Sequence, residues 1–130
     1  MFKNAAGFAA LEDYDGYQFV FESGYYARFE FKRDETRPAA NPYKYSLTLH
    51  APSGKRLVAF DNAHPIRRPS GKFKRRSVSA NHWHRDAADK GRPYDFRSPE
   101  LLLEDFFREV ERVLRGLGVD MAQVDVRKRR

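Results

Sequence analysis

The sequence predicts an α+β fold: an antiparallel sheet of four to six strands with one long C-terminal helix packed on one face. Three observations predict it. Apolar residues between positions 17 and 60 alternate with period two in four runs. Short turn-forming stretches separate two pairs of those runs. A single run after residue 98 changes to three–four spacing, and it follows the strands instead of interleaving with them.

The first run alternates Tyr17, Phe19 and Phe21 with Gln18, Val20 and Glu22. Ser23-Gly24 then signals a turn, and Tyr25, Ala27, Phe29 and Phe31 alternate with Tyr26, Arg28, Glu30 and Lys32, which together read as a hairpin. Asp34 to Pro42 is a loop. Tyr43, Tyr45, Leu47 and Leu49 mark a third strand, Ala51-Pro52-Ser53-Gly54 a turn, and Arg56 to Phe60 a fourth strand ending at Asp61-Asn62. Asn81 to Arg85 and Tyr94-Asp95-Phe96 are candidates for two more short strands.

Ser98-Pro99-Glu100 announces the helix: Ser caps free amides, Pro has the φ of the first position, and Glu faces the positive dipole end. Leu103, Phe106, Phe107, Val110, Val113, Leu114 and Leu117 form its apolar face. Glu104 and Arg108 stand at a favourable four-residue offset, and Gly116 and Gly118 end the helix. The chain is read as one domain over 1–130. Residues 1–13 belong to no assigned element, 64–80 form a basic insertion loop, and 119–130 are a basic tail whose final four cations are expected to be disordered.

A chain of 130 residues can bury one modest core. Aromatics make up 15% of it, so Phe and Tyr carry much of the burial, at about 1.5–3 kcal/mol each when fully covered. The absence of Cys excludes disulfides, thiolate nucleophiles and the commonest structural zinc sites, and fits a reducing cytoplasm. No apolar run reaches the length of a membrane span, so no membrane partner is expected. The net charge of +7 favours an anionic partner.

That charge is concentrated. Between Ile66 and Arg92, nine Lys/Arg stand against two Asp, which leaves +7, and the stretch from Asp61 to Arg92 holds three of the four histidines. In His82-Trp83-His84 an extended backbone would point both imidazoles to one face. Two such groups can divide general-base and general-acid work near neutrality, as RNA hydrolysis requires. The competing reading is two surface histidines flanking a buried Trp83. Asp61, at a strand end, could orient an imidazole, with His64 close by in sequence; equally, Asp61-Asn62 could only terminate the strand. Arg67, Arg68, Lys72, Phe73, Lys74, Arg75, Arg76 and Arg85 supply cations and one stacking ring suited to single-stranded nucleic acid. A metal held by His64, His82, His84 and Asp61 or Asp86 is the third reading. The surrounding cations oppose a dication, and no cofactor or metal is expected.

In these residues the chain resembles the TumE-like toxins of type II toxin–antitoxin modules. The resemblance is carried, in order, by Tyr43-Lys44-Tyr45-Ser46-Leu47, Pro52-Ser53-Gly54-Lys55-Arg56, Phe60-Asp61-Asn62-Ala63-His64, His82-Trp83-His84-Arg85, Tyr94-x-Phe96 and Leu101-Leu102-x-Glu104-Asp105-Phe106. It spans roughly residues 24–114. The chain departs from the family pattern in a longer basic link between the two histidine elements, and in Asn81 where family members often carry Asp. The resemblance implies a cytoplasmic toxin neutralised by a cognate antitoxin, usually one with a helix-turn-helix domain.

The function expected is therefore a toxin that cleaves RNA. His82 and His84 would share proton transfer, Asp61 would orient one ring with His64 near, and the basic residues would hold phosphate. The alternative is a non-catalytic module that binds nucleic acid or antitoxin and keeps its histidines for structure.

Overall fold

The computed structural model describes residues 14–37, 39, 41–62 and 81–128. Its elements run β1 (Tyr17–Phe21), β2 (Tyr26–Arg33), β3 (Tyr43–His50), β4 (Arg56–Asp61), β5 (His82–His84), β6 (Arg92–Pro93), α1 (Pro99–Gly116) and β7 (Gln123–Lys128). Among the described residues they form one sheet in the order β6-β5-β4-β3-β2-β1-β7, with every neighbouring pair antiparallel. The α+β plan is the one the alternation and the helical spacing predict.

The two-residue period divides the sheet into unlike faces. Phe19 and Phe21 of β1, Ala27, Phe29 and Phe31 of β2, Tyr45, Leu47 and Leu49 of β3, and Val58 and Phe60 of β4 are buried together under Leu102, Leu103, Phe106, Phe107, Val110 and Leu114 of α1. Phe106 sits at the centre, edge-on to Phe29 at 5.7 Å and to Phe60 at 6.0 Å between ring centroids. Edge-to-face contacts of this kind add to simple burial. On the opposite, polar face the intervening residues Arg28 and Glu30, Ser46 and Thr48, and Asp61 stand in register from strand to strand.

Local chemistry sets the ends of the elements. Ser98 Oγ accepts a hydrogen bond from the Leu101 amide at 3.1 Å, Pro99 opens the first turn, and Glu100 lies at the positive dipole end. Gly118, at φ +70°, closes α1. Gly24 and Gly54, at φ +95° and +97°, take the turns between β1 and β2 and between β3 and β4.

Four expectations need correction. Two of the four terminal cations expected to be disordered, Arg127 and Lys128, lie in a strand. Gln123-Val124-Asp125-Val126-Arg127 has a period-two pattern, and its backbone pairs with the edge of β1 from Tyr17↔Lys128 to Phe21↔Gln123. It adds a seventh strand to the sheet among the described residues. The last short strand is Arg92–Pro93 and not Tyr94-Asp95-Phe96, although the Tyr94 amide still donates to the Asn81 carbonyl at 3.0 Å. Leu117 is 54% exposed because α1 ends before it, whereas Leu102 is buried and widens the apolar stripe towards the N-terminus. Arg108 pairs with Asp105, three residues back, at 2.9 Å instead of with Glu104.

Phe106→Ala is expected to cost about 3–5 kcal/mol in equilibrium urea unfolding followed by circular dichroism. Leu117→Ala should stay within about 0.5 kcal/mol of the parent. Equal losses at the two positions would mean that α1 does not seat on the sheet through this face.

Candidate active site

The polar face carries a cluster of titratable groups where β4 meets β5. The antiparallel register sets Asp61 opposite His82, Phe60 opposite Trp83, and Ala59 opposite His84. Trp83 therefore stacks on Phe60 at 5.3 Å, on the helix side, and the two imidazoles turn to the other face beside Asp61. His82 Nε2 lies 3.2 Å from Asp61 Oδ1, and the two imidazole centroids are 5.1 Å apart at 78°. One ligand-capable atom from each of Asp61, His82 and His84 lies within 4.8 Å of the other two. Both imidazoles are buried, at 7% and 8% exposure, so neither is a loose surface group.

The turn after β5 holds this arrangement from behind. His84 Nδ1 is 2.8 Å from the Asp89 carbonyl oxygen. A carbonyl only accepts, so Nδ1 carries a proton, and in the neutral ring the lone pair is then on Nε2. The Asp89 carboxylate in turn accepts from the Arg85 amide at 2.9 Å, the Gly91 amide at 2.9 Å and Arg92 Nε at 2.6 Å. Burial pushes the Asp89 carboxyl up, but those bonds and the Arg92 charge outweigh it and hold the group well below the usual carboxylate range. The sign follows: the carboxylate stabilises the turn fully above the ordinary carboxylate pKa, and that contribution fades only as pH falls from there towards the depressed value. Gly91, at φ +122°, brings bare backbone against both rings. A Cβ added there would meet His84 Cε1 at 3.3 Å and His82 Cδ2 at 3.4 Å.

Two asparagines fix the strands that carry the cluster. Asn62 is 1% exposed. Its Oδ1 accepts from the Tyr45 amide at 2.9 Å, and its Nδ2 donates to the Tyr43 carbonyl at 2.7 Å. It thus binds the end of β4 to the neighbouring strand and does not fold back on its own backbone. Arg37 closes the bracket by donating to the Asn62 carbonyl at 3.2 Å. Asn81 Oδ1 accepts from Tyr45 Oη at 2.8 Å and from Asn41 Nδ2 at 3.1 Å. Burial, with the Asp61 charge adding to it, pushes the Tyr45 phenol far above its usual range, so it remains a donor. Position 81 therefore supplies an acceptor to Tyr45, which Asn does as Asp would.

Of the residues expected at the site, Asp61, His82 and His84 come together. His64, Arg67, Arg68, Lys72, Phe73, Lys74, Arg75 and Arg76 lie outside the described residues. Arg85 is exposed; its amide donates to Asp89, and its carbonyl accepts from Arg112 Nη2 at 3.0 Å. A shallow depression of about 200 Å³ lies on the polar face, lined by Arg28, Glu30, Ser46, Thr48 and His50. It adjoins the cluster through the pairing of Ser46 with Asp61. Within it, Arg28 Nε is buried without a hydrogen-bond partner.

Sequence reasoning missed Asp89 and Gly91. Their signal was Asp89-Lys90-Gly91 shortly after a strand, a turn pattern that specifies a backbone shape but not what the backbone touches. A family model described as "Toxin TumE" matches residues 12–114. No curated protein and no solved structure matches the chain. Among the described residues, no helix is long and apolar enough to cross a membrane.

Gly91→Ala is expected to cost about 1–3 kcal/mol, because φ there is unsuited to an L side chain. It should also remove the slowly exchanging His84 Nδ1–H signal from the imidazole region of the ¹H–¹⁵N NMR spectrum. Lys90→Ala, in the same turn, should retain that signal. A Gly91→Ala spectrum unchanged from the parent would show that the backbone does not press on the rings.

Proposed function

Because the chain belongs to the TumE toxin family, we propose that it is the toxin of its module and that it acts by cleaving RNA at the Asp61–His82–His84 cluster. The family supplies the coarse statement, a toxin with an antitoxin partner. The chemistry is our reading of the site. The observation that carries it is the juxtaposition on one face of two buried imidazoles, one against a carboxylate and one with its tautomer fixed.

RNA carries its own nucleophile, so the protein has only to move protons and stabilise charge. His84 Nε2, with its lone pair free of the Nδ1 proton, is suited to take the proton of a 2′-hydroxyl as that oxygen bonds to phosphorus. The phosphorus–5′-oxygen bond breaks, and the leaving oxygen needs a proton. His82, held by Asp61 Oδ1, is suited to give it, and a 2′,3′-cyclic phosphate remains. Arg28 in the adjoining depression supports phosphate binding close to the cluster. In the insertion loop, Arg67, Arg68, Lys72, Lys74, Arg75 and Arg76 would hold the strand and Phe73 would stack on a base. Arg85 would add a further cation beside the site. His64 follows Asp61 by three residues and is a candidate fourth member. A partner with a helix-turn-helix domain and action in the cytoplasm complete the reading.

A second reading is favoured by the same burial: buried histidines with at least one fixed partner each also serve structure. In it the protein binds nucleic acid or antitoxin without cleaving anything.

Induction of the parent chain is expected to arrest growth and fragment cellular RNA, whereas His82→Ala/His84→Ala should do neither. With purified protein, His84→Ala alone should slow cleavage by about 10²–10⁴-fold. Undiminished toxicity in the double variant would remove the cluster from the mechanism. Binding to RNA with no cleavage by the parent would select the second reading. If about five phosphates are neutralised, affinity for single-stranded RNA should fall roughly a hundredfold between 50 and 200 mM salt. A flat salt dependence would remove the basic loop from binding.

A further inference from the structure

The cluster that serves proton transfer also has the make-up of a metal site. We propose that Asp61, His82 and His84 form a three-ligand site for a divalent transition-metal ion of the zinc type, and that an ion held there silences the acid–base pair. Metal binding stands on the geometry alone. Only its inhibitory consequence rests on the reading of the cluster as an RNA-cleaving centre.

The donor set is two imidazoles and one carboxylate, a combination that borderline ions favour over Mg²⁺ or Ca²⁺. An ion about 2.0–2.2 Å from each donor holds the donor atoms roughly 3–3.5 Å apart. His82 Nε2 and Asp61 Oδ1 already stand 3.2 Å apart, and all three donors fall within 4.8 Å. Bringing His84 to that spacing from both other donors needs a side-chain movement of at most roughly 1–2 Å.

The layer behind the donors is also of the kind that metal sites use. A ligating histidine commonly donates its second ring N–H to a carbonyl, which fixes the ring and turns the other nitrogen inward. His84 does this through Nδ1 to the Asp89 carbonyl. Gly91 gives the rings a wall with no side chain where a Cβ would crowd both. The cations of the segment, which argue against a dication in the sequence, are in part turned elsewhere. Arg92 is engaged by the Asp89 carboxylate and lies over the Trp83 ring, on the helix side. Among the described residues, the Asp61 carboxylate stands 3.2 Å from His82 Nε2 and brings negative charge to the donors.

The consequence is competition for the same atoms. An ion on His84 Nε2 occupies the lone pair that would accept the 2′-hydroxyl proton. An ion shared by His82 and Asp61 removes the pair that would serve the leaving oxygen. Metal occupancy and RNA cleavage would then exclude each other, and a zinc-loaded toxin would be inert.

The test is a calorimetric titration of Zn²⁺ into the full chain, with cleavage of a labelled RNA followed at the same zinc concentrations. One zinc per chain is expected. Affinity should fall at least roughly tenfold in Asp61→Asn, His82→Ala and His84→Ala and stay unchanged in His50→Gln. Imidazole ¹⁵N spectra of the parent chain provide a check that needs no variant: zinc should shift the His82 and His84 signals and leave those of His50 in place. Absence of binding, or binding of parental strength in His82→Ala/His84→Ala, overturns the site. Cleavage falling in step with occupancy supports the whole proposal. Cleavage rising with occupancy overturns the inhibitory role, and with it the acid–base reading. A chain that binds zinc at these residues but never cleaves RNA keeps the metal site and removes the nuclease.

Discussion

The pairing register between β4 and β5 is the constraint on which the rest of the site depends. Strand side chains alternate, so a slip of one residue exchanges the two faces. In the observed register Asp61 faces His82 and Phe60 faces Trp83. Slipped by one, the pair would drive an imidazole towards Phe106 and leave an indole beside the carboxylate. The bracket made by Asn62 to the Tyr43 carbonyl and the Tyr45 amide holds the β4 side of this arrangement, and Trp83 stacked on Phe60 holds the β5 side. The same aromatic packing that closes the core thus aims the polar groups. Stability and chemistry are the two faces of one strand pair.

Support for the histidines comes mostly from backbone. The Asp89 carbonyl fixes one ring, the Gly91 main chain lies against both, and the Asp89 carboxylate ties the turn together through two amides and a guanidinium. Such a scaffold costs little side-chain entropy, because most of its partners are already fixed by the turn.

Much of this was legible in the residues. The alternation between 17 and 60 gave four strands within a residue or so of their ends, and Ser98-Pro99-Glu100 marked the helix start. The shared face of His82 and His84 followed from spacing, and the strand-end position of Asp61 made it a fair candidate. What spacing could not give was partnership. No local pattern says that β5 pairs with β4, or that Asn62 reaches β3, because those contacts cross the chain by 17 residues or more. β7 escaped notice for a different reason. Its valines are interleaved with charges, and Arg127 and Lys128 read as the start of a solvated run until a free edge on β1 is available to take the strand.

The short strand β6 has an effect on how this protein can be approached. It consists of Arg92 and Pro93 alone, at the sheet margin next to the histidines. Proline brings no N–H, and two residues offer too little ladder to template another chain. A protein that caps this toxin by lending a strand would find no purchase on the margin beside the cluster. Among the described residues that edge offers no ladder, so an inhibitor approaching there would have its specificity written in the chemistry of its contact residues and not in its backbone.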